Sequence, residues 1–112
     1  MNATEQIRPT EKQYRKLARE IRALLIRLKP TIGDDYRATD DPDDNLPGMA
    51  VTVGATVADD GELSWNYQTG DNSFTGGAYG HAIWGVGYLY RRSNCAEVAD
   101  AIVDEIADQL LA

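Results

Sequence analysis

The fold is decided by two alternating segments in the middle of the chain, residues 49–68, which read MAVTVGATVADDGELSWNYQ. Apolar side chains occupy every second position of residues 49–57 and again of residues 63–67. A period of two with many β-branched residues is typical of strands that bury one face. Asp60 and Gly61, between the segments, are the residue types that a tight hairpin turn requires. The stretch therefore predicts a β-hairpin with one buried and one solvated face.

An amphipathic helix is predicted before the hairpin. Thr10 and Gln13 have the spacing of a capping box, and apolar residues then recur at three- and four-residue steps up to Leu28. Proline disfavours the helical conformation in the residue before it, so Lys29 and Pro30 are expected to end this helix.

After the hairpin, residues 82–90 read AIWGVGYLY and are apolar on both faces, which predicts a central strand. Gly85 and Gly87 share one face of that strand and leave room for a helix or an aromatic ring to approach closely. Asn94, three residues before Glu97, is expected to cap a final helix that runs through Gln109. The predicted buried stripe of this helix consists of Cys95, Val98, Ala99, Ile102, Val103, Ile106 and Leu110.

The order helix, strands, helix predicts one α+β domain over residues 1–112, with residues 1–9 as a flexible N-terminus. We expect a two-layer sandwich in which a three- to four-stranded antiparallel sheet carries the N- and C-terminal helices on one face. The polar outer residues of the hairpin indicate that the second sheet face is largely open to solvent.

Charge is distributed unevenly along the chain. The net charge is -7, but residues 1–30 sum to +5 and residues 31–112 to -12. The basic face of the first helix consists of Lys12, Arg15, Lys16, Arg19, Arg22 and Arg27, on one arc opposite the apolar stripe. The acidic face of the final helix consists of Glu97, Asp100, Asp104, Glu105 and Asp108. The two faces are expected to lie side by side, and either to satisfy each other or to face partners.

The sequence predicts a soluble cytoplasmic protein without cofactor, metal or membrane contact. The single cysteine, Cys95, excludes an intrachain disulfide, and no apolar run approaches the ~18 residues of a membrane span. Asp41, Asp43 and Asn45 have the first three spacings of a calcium loop, but the turn glycine and the bidentate glutamate that should follow are replaced by Leu46 and Thr52. The single histidine and the single cysteine cannot form a structural zinc site without several carboxylates.

Residues 69–81, TGDNSFTGGAYGH, form a glycine-rich segment whose length is typical of a functional or disordered loop. Asp71, Ser73 and His81 are the residue types of a nucleophilic triad. However, no nucleophile-elbow or oxyanion-hole glycine pattern surrounds them. A small hydrolase or metal-dependent enzyme centred on this loop is therefore the third hypothesis, behind two non-enzymatic ones.

The first hypothesis is a non-enzymatic inhibitor or regulator that binds a protein partner, with a basic nucleic-acid-handling complex as the expected partner and a monomeric or homodimeric state. Charge complementarity is assigned to Asp40, Asp41, Asp43, Asp44, Asp59 and Asp60, and the specific patch to Asp71, Asn72, Phe74, Tyr79 and His81. Trp65, Tyr67 and Trp84 are expected to face the core. The second hypothesis is a small nucleic-acid-binding module that uses the basic face. The net charge of -12 on residues 31–112 would repel a polyanion, so direct nucleic-acid binding is disfavoured.

Residues 64–84, SWNYQTGDNSFTGGAYGHAIW, followed by YLYRRSNCAEVA at residues 88–99, resemble segments of small bacterial and phage proteins that carry no assigned activity. By overall type, a compact acidic domain without a catalytic set is similar to phage anti-defence proteins such as anti-CRISPRs. That resemblance implies a protein that occludes a nucleoprotein complex in the host cytoplasm. The basic first helix departs from the uniform charge of a DNA mimic.

Overall fold

The computed structural model describes residues 9–34, 46–69 and 83–111 and shows an α+β fold. The elements in chain order are α1 (Glu11–Leu28), a 3₁₀ turn (Lys29–Thr31), β1 (Gly48–Val57), β2 (Leu63–Thr69), β3 (Ile83–Tyr90) and α2 (Cys95–Leu111). Over these residues the strands form an antiparallel sheet in the order β2-β1-β3, and both helices pack on it. The predicted α+β class, with helices at either end of the sequence, is confirmed.

The hairpin turns where the sequence predicted it. Gly61 N–H donates to the Ala58 carbonyl and Ala58 N–H to the Glu62 carbonyl, each at 2.9 Å. Gly61 has a φ of 86°, in the left-handed region that favours glycine. This is a type I turn followed by a left-handed glycine, a hairpin connection whose twist suits the paired strands.

The predicted caps of both helices are confirmed. Thr10 Oγ1 accepts from Gln13 N–H at 3.3 Å at the start of α1. Asn94 Oδ1 accepts from the N–H groups of Ala96 and Glu97 at 2.9 and 3.3 Å at the start of α2. These side-chain oxygens satisfy backbone donors that have no partner within the first helical turn.

Among the described strands β3 lies at an edge of the sheet, so the prediction of a central strand over residues 82–90 is wrong. β1 pairs with both neighbours and takes the central position, and every residue from Gly48 to Ala55 is buried. The apolar character of both faces of β3 has a different cause: one face meets α2, and the other carries the aromatic side chains of Trp84, Tyr88 and Tyr90.

One hydrophobic core lies between the helices and the sheet. It takes alternate residues of β1 together with the apolar stripes of α1 and α2. Its least exposed members are Leu17, Ile21, Leu24, Leu25, Val51, Val53, Leu89, Ala99, Ile102 and Ile106.

The second sheet face is not largely open along β1, contrary to the sequence prediction. Ala50 and Thr52 point away from the core cluster, yet they are only 5% and 1% exposed. The cross-strand neighbours of Thr52 are Gln68 and Val86, which flank it on either side. Solvent reaches this face at Tyr88, which is 46% exposed.

α2 approaches β3 closely at two glycines, as the sequence predicted. A Cβ built on Gly85 would lie 2.7 Å from the carbonyl oxygen of Ile102, and one on Gly87 would lie 2.7 Å from Ile102 Cδ1. Both distances are shorter than van der Waals contact. The helix can therefore rest on the strand only because both side chains are absent.

Side chains of α2 bond to the backbone at the β3 edge of the sheet. On β3, Trp84 N–H and Val86 N–H donate to the side chains of Gln109 and Glu105 of α2, at 3.4 and 3.2 Å. Gln109 Nε2 also donates to the Trp84 carbonyl at 2.5 Å. Side chains of the covering helix thus occupy backbone groups that would otherwise be free to pair with another chain.

We expect Gly85→Ala and Gly87→Ala each to lower the free energy of unfolding by about 1–3 kcal/mol, because the added methyl overpacks the contact with Ile102. Chemical denaturation measures the change, and Ser64→Ala on the exposed side of β2 is the matched control, expected within about 0.5 kcal/mol of wild type.

Ile102→Val should restore part of the loss in Gly87→Ala, because it removes the methyl that the new Cβ meets. It should restore little in Gly85→Ala, where the obstacle is the helix carbonyl. Equal rescue of both variants would contradict this packing.

A second prediction concerns the β3 edge. Replacing Glu105 and Gln109 together by alanine should expose the edge and produce concentration-dependent self-association, measured by analytical ultracentrifugation. Asp108→Ala is the control, because it also removes one acidic side chain from the exposed side of α2. A double variant that sediments like this control would show that the two side chains do not guard the edge.

Candidate functional site

The basic face of α1 is fully displayed to solvent. All six of its cations are exposed, and from Lys12 to Arg27 they extend about 22 Å along the helix. Arg15 forms an exposed ion pair with Glu11, at 2.6 Å between Nη2 and Oε1. In the described ranges the other five cations have no acidic partner within ion-pair distance. Their charge is therefore available to an outside partner.

The acidic face of α2 is likewise exposed along its length. Of its five carboxylates, Glu105 accepts the Val86 N–H already described. Within the part of the chain that the structure describes, none of the five forms an ion pair; the second ion pair there joins Arg91 to Asp34 at 2.6 Å. The two charged faces thus do not neutralise each other through the described side chains.

The two helices run antiparallel and in contact. Lys29 Nζ, just after the end of α1, donates to the Ser93 carbonyl at 2.7 Å, just before the start of α2. Arg91, before the start of α2, links the same ends of the two helices by donating two hydrogen bonds to the Ile32 carbonyl, at 3.0 and 3.2 Å. Because axes of packed helices lie 8–10 Å apart, the basic and acidic faces run side by side at about one Debye length. We call these two faces together the helix layer.

Two of the predicted partner-binding acids are described. Asp59 and Asp60 are exposed at the hairpin turn, and Asp60 Oδ1 accepts from Glu62 N–H at 3.0 Å. Asp60 therefore also stabilises the turn, as aspartate residues before a turn glycine commonly do. The remaining predicted residues lie outside the described ones: Asp40, Asp41, Asp43, Asp44, Asn45, Asp71, Asn72, Ser73, Phe74, Tyr79 and His81.

The three aromatic residues assigned to the core are placed differently. Trp65 and Tyr67 do lie on the helix side of β2, with ring centroids 6.3 Å apart, but Tyr67 is 39% exposed. Trp65 Nε1 donates to Glu20 Oε1 of α1 at 3.0 Å. Trp84 pairs with Gly54 in the register and so lies on the opposite sheet face. The inward assignment is therefore confirmed for Trp65, which packs against the core. Tyr67 lies on the predicted face but is exposed, and the assignment is wrong for Trp84, because its neighbours in β3 are the residues that face the helices.

Sequence reasoning did not identify Glu20, Glu105 and Gln109 as contact residues. Each lies on a helix and reaches an edge strand, through the Trp65 ring, the Val86 N–H and the Trp84 N–H respectively. Their position at the border of an apolar stripe is the only sequence signal, and it becomes informative only when the strand order is known.

A metal centre and a membrane-spanning helix are both absent from the residues that the structure describes. No group of three or more histidine, cysteine or acidic side chains among them could hold a metal ion, and none of their helices has the length and apolar character of a membrane span. Comparisons with models of protein families, with curated proteins and with solved structures found no match to this chain. Function is therefore inferred from charge, exposure and hydrogen bonding.

Proposed function

We propose that the chain is a non-enzymatic protein-binding module whose helix layer docks on a partner with a complementary surface of both signs. The observation that carries the proposal is the juxtaposition of two exposed, oppositely charged helix faces that leave most of their charges unpaired in the described residues. Such an arrangement steers association and fixes the orientation of docking, because only one alignment of the partner matches both signs.

The neighbouring acidic face argues against a uniform polyanion as the main ligand. A nucleic acid laid on α1 would place phosphates within about one Debye length of the five carboxylates of α2. A protein surface can instead offer acids to α1 and bases to α2. The protein partner is therefore favoured over direct nucleic-acid binding.

The partner we propose is a nucleic-acid-handling complex, which the chain inhibits or regulates by covering part of its basic surface. The acidic face of α2, with Asp59 and Asp60 exposed at the hairpin turn, would meet such basic surface. The similarity in type to phage anti-defence proteins supports the same assignment.

A second candidate, nucleic-acid binding through α1, is favoured by one observation: five of the six cations on the basic face have no ion-pair partner in the described ranges. The two candidates differ in how they respond to α2. Removing the acidic face should weaken a two-signed protein interface, whereas it should strengthen binding of a polyanion.

This difference gives the third prediction. The immobilised protein is incubated with nuclease-treated lysate of its source cells, and retained proteins are quantified by mass spectrometry. We expect one protein or complex to be retained by wild type and reduced at least tenfold by Arg19→Glu/Arg22→Glu and by Asp100→Lys/Asp104→Lys, since each reverses two charges on one face. Retention should also fall as salt is raised.

Arg92→Gln is the matched control, because it removes an exposed charge outside the helix layer and outside the hairpin turn. A partner whose retention is unaffected by either double variant would contradict the proposal. Tighter binding of labelled single-stranded or duplex DNA and RNA by the α2 double variant in gel shifts, without a retained protein, would favour the second candidate.

A further inference from the structure

We propose that the outer edge of β2 is a docking site for an extended acidic segment of the protein partner, which adds to the sheet as a strand beyond β2. This inference rests on the proposed function and names the part of the partner that is recognised. An exposed strand edge binds peptides in this way because its unpaired N–H and C=O groups continue the ladder.

The hydrogen-bonding pattern identifies the free groups. In an antiparallel pair, alternate residues direct their backbone groups at the partner strand and the others direct them away. The bond from Ala58 N–H to the Glu62 carbonyl marks that pair as bonded. It follows from the register that Ser64, Asn66 and Gln68 bond to β1, and that Leu63, Trp65, Tyr67 and Thr69 direct their groups outward.

Among the described residues, the outward groups of β2 are occupied at the beginning of the strand. Leu63 N–H donates to Gln13 Oε1 of α1 at 3.3 Å. Among the described residues, no side chain or strand takes the outward groups of Trp65, Tyr67 and Thr69. The β3 edge, in contrast, has its Trp84, Val86 and Tyr90 N–H groups occupied by Gln109, Glu105 and Ser93. Among the described residues, side chains thus occupy three of the four outward N–H groups of β3 but one of the four of β2.

The charges of α1 beside this edge favour an acidic strand, because two cations flank Glu20 and the Glu20 carboxylate is itself engaged by the Trp65 indole. The bond from Trp65 Nε1 to Glu20 places the Glu20 side of α1 next to β2. At 100° per residue, Lys16 and Arg27 lie within about 40° of Glu20 around the helix axis, so both cations border the edge. Acidic side chains of an added strand would meet them. Apolar side chains would pack on the Trp65–Tyr67 ring pair, whose Tyr67 is 39% exposed.

A second copy of this chain is a poor occupant of the same edge. Pairing of two β2 edges would bring strands to about 4.8 Å and place the two α1 helices beside each other. Each helix carries six exposed cations on its basic face, so the approach would be opposed by like charges. An acidic segment from a different protein would instead be attracted to these cations.

The fourth prediction uses a defined probe, a capped nine-residue peptide that alternates glutamate and valine. Binding to the full chain is followed by NMR at low salt, with amide hydrogen exchange measured at Trp65 and Tyr67. We expect exchange at both amides to slow at least tenfold at saturating peptide, because they become ladder donors. The same peptide with alternate backbone nitrogens methylated, placed on the face that pairs with β2, should bind at least tenfold more weakly, since only its backbone bonds are altered.

Protein variants provide the second readout. Tyr67→Pro removes one outward N–H, which an edge strand tolerates, and should weaken peptide binding at least tenfold. Tyr67→Ala separates the loss of the ring from the loss of the donor, and Tyr88→Pro makes the matched change on the β3 edge, where no effect is expected. Circular dichroism verifies that the variants are folded, and the methylated peptide tests the same bond without altering the protein.

The failure of this inference is distinguishable from failure of the proposed function. A peptide that binds without protecting Trp65 and Tyr67, or that tolerates methylation, would overturn strand addition while partner retention through the helix layer stands. Absence of peptide binding at millimolar concentration would overturn it as well. Loss of partner retention in Tyr67→Pro, but not in Tyr88→Pro, would support it in the natural complex.

Discussion

The structure depends on the close approach of α2 to β3 at Gly85 and Gly87. The backbone and side chain of Ile102 occupy the space where two Cβ atoms would stand. This contact fixes how near the helix lies to the strand. Because α2 lies so close, Glu105 and Gln109 on its flank can reach the backbone of Trp84 and Val86. A contact between two glycines and a helix thus also brings the side chains of α2 to the β3 edge.

The same contact determines where α1 lies relative to the β2 edge. With α2 seated on β3, α1 packs beside α2 and covers the sheet toward β2, which it meets through Gln13 and Glu20. Within the described ranges, the first outward N–H group of β2 is the one that is taken, and the remainder of that edge adjoins the basic face of α1. Positive charge and unpaired backbone groups therefore lie on the same side of the molecule. An extended acidic segment could bind to both at once. Docking on the helix layer and on the β2 edge would engage neighbouring surfaces of one partner.

Periodicity and turn chemistry predicted much of this fold from the sequence. The hairpin at Gly61, the caps at Thr10 and Asn94 and the glycine contact beneath α2 each depend on residues close in sequence or on one residue type, so local patterns suffice. Strand order does not follow from such patterns. Residues 82–90 are apolar on both faces, because one face packs on α2 and the other carries aromatic side chains. In the sequence this pattern cannot be distinguished from that of a central strand.

The site was less predictable because it depends on that order. The basic and acidic faces were visible in the sequence, but their failure to pair within the described residues, the outward placement of Tyr67 and the contacts of Glu105 and Gln109 required the packed structure. The most direct test of the account is amide hydrogen exchange in the free protein. The Trp84 and Val86 amides should be protected, whereas those of Trp65 and Tyr67 should exchange at least tenfold faster, because side chains of α2 accept from the first two and no described side chain accepts from the other two. Equal protection of the two edges would contradict it.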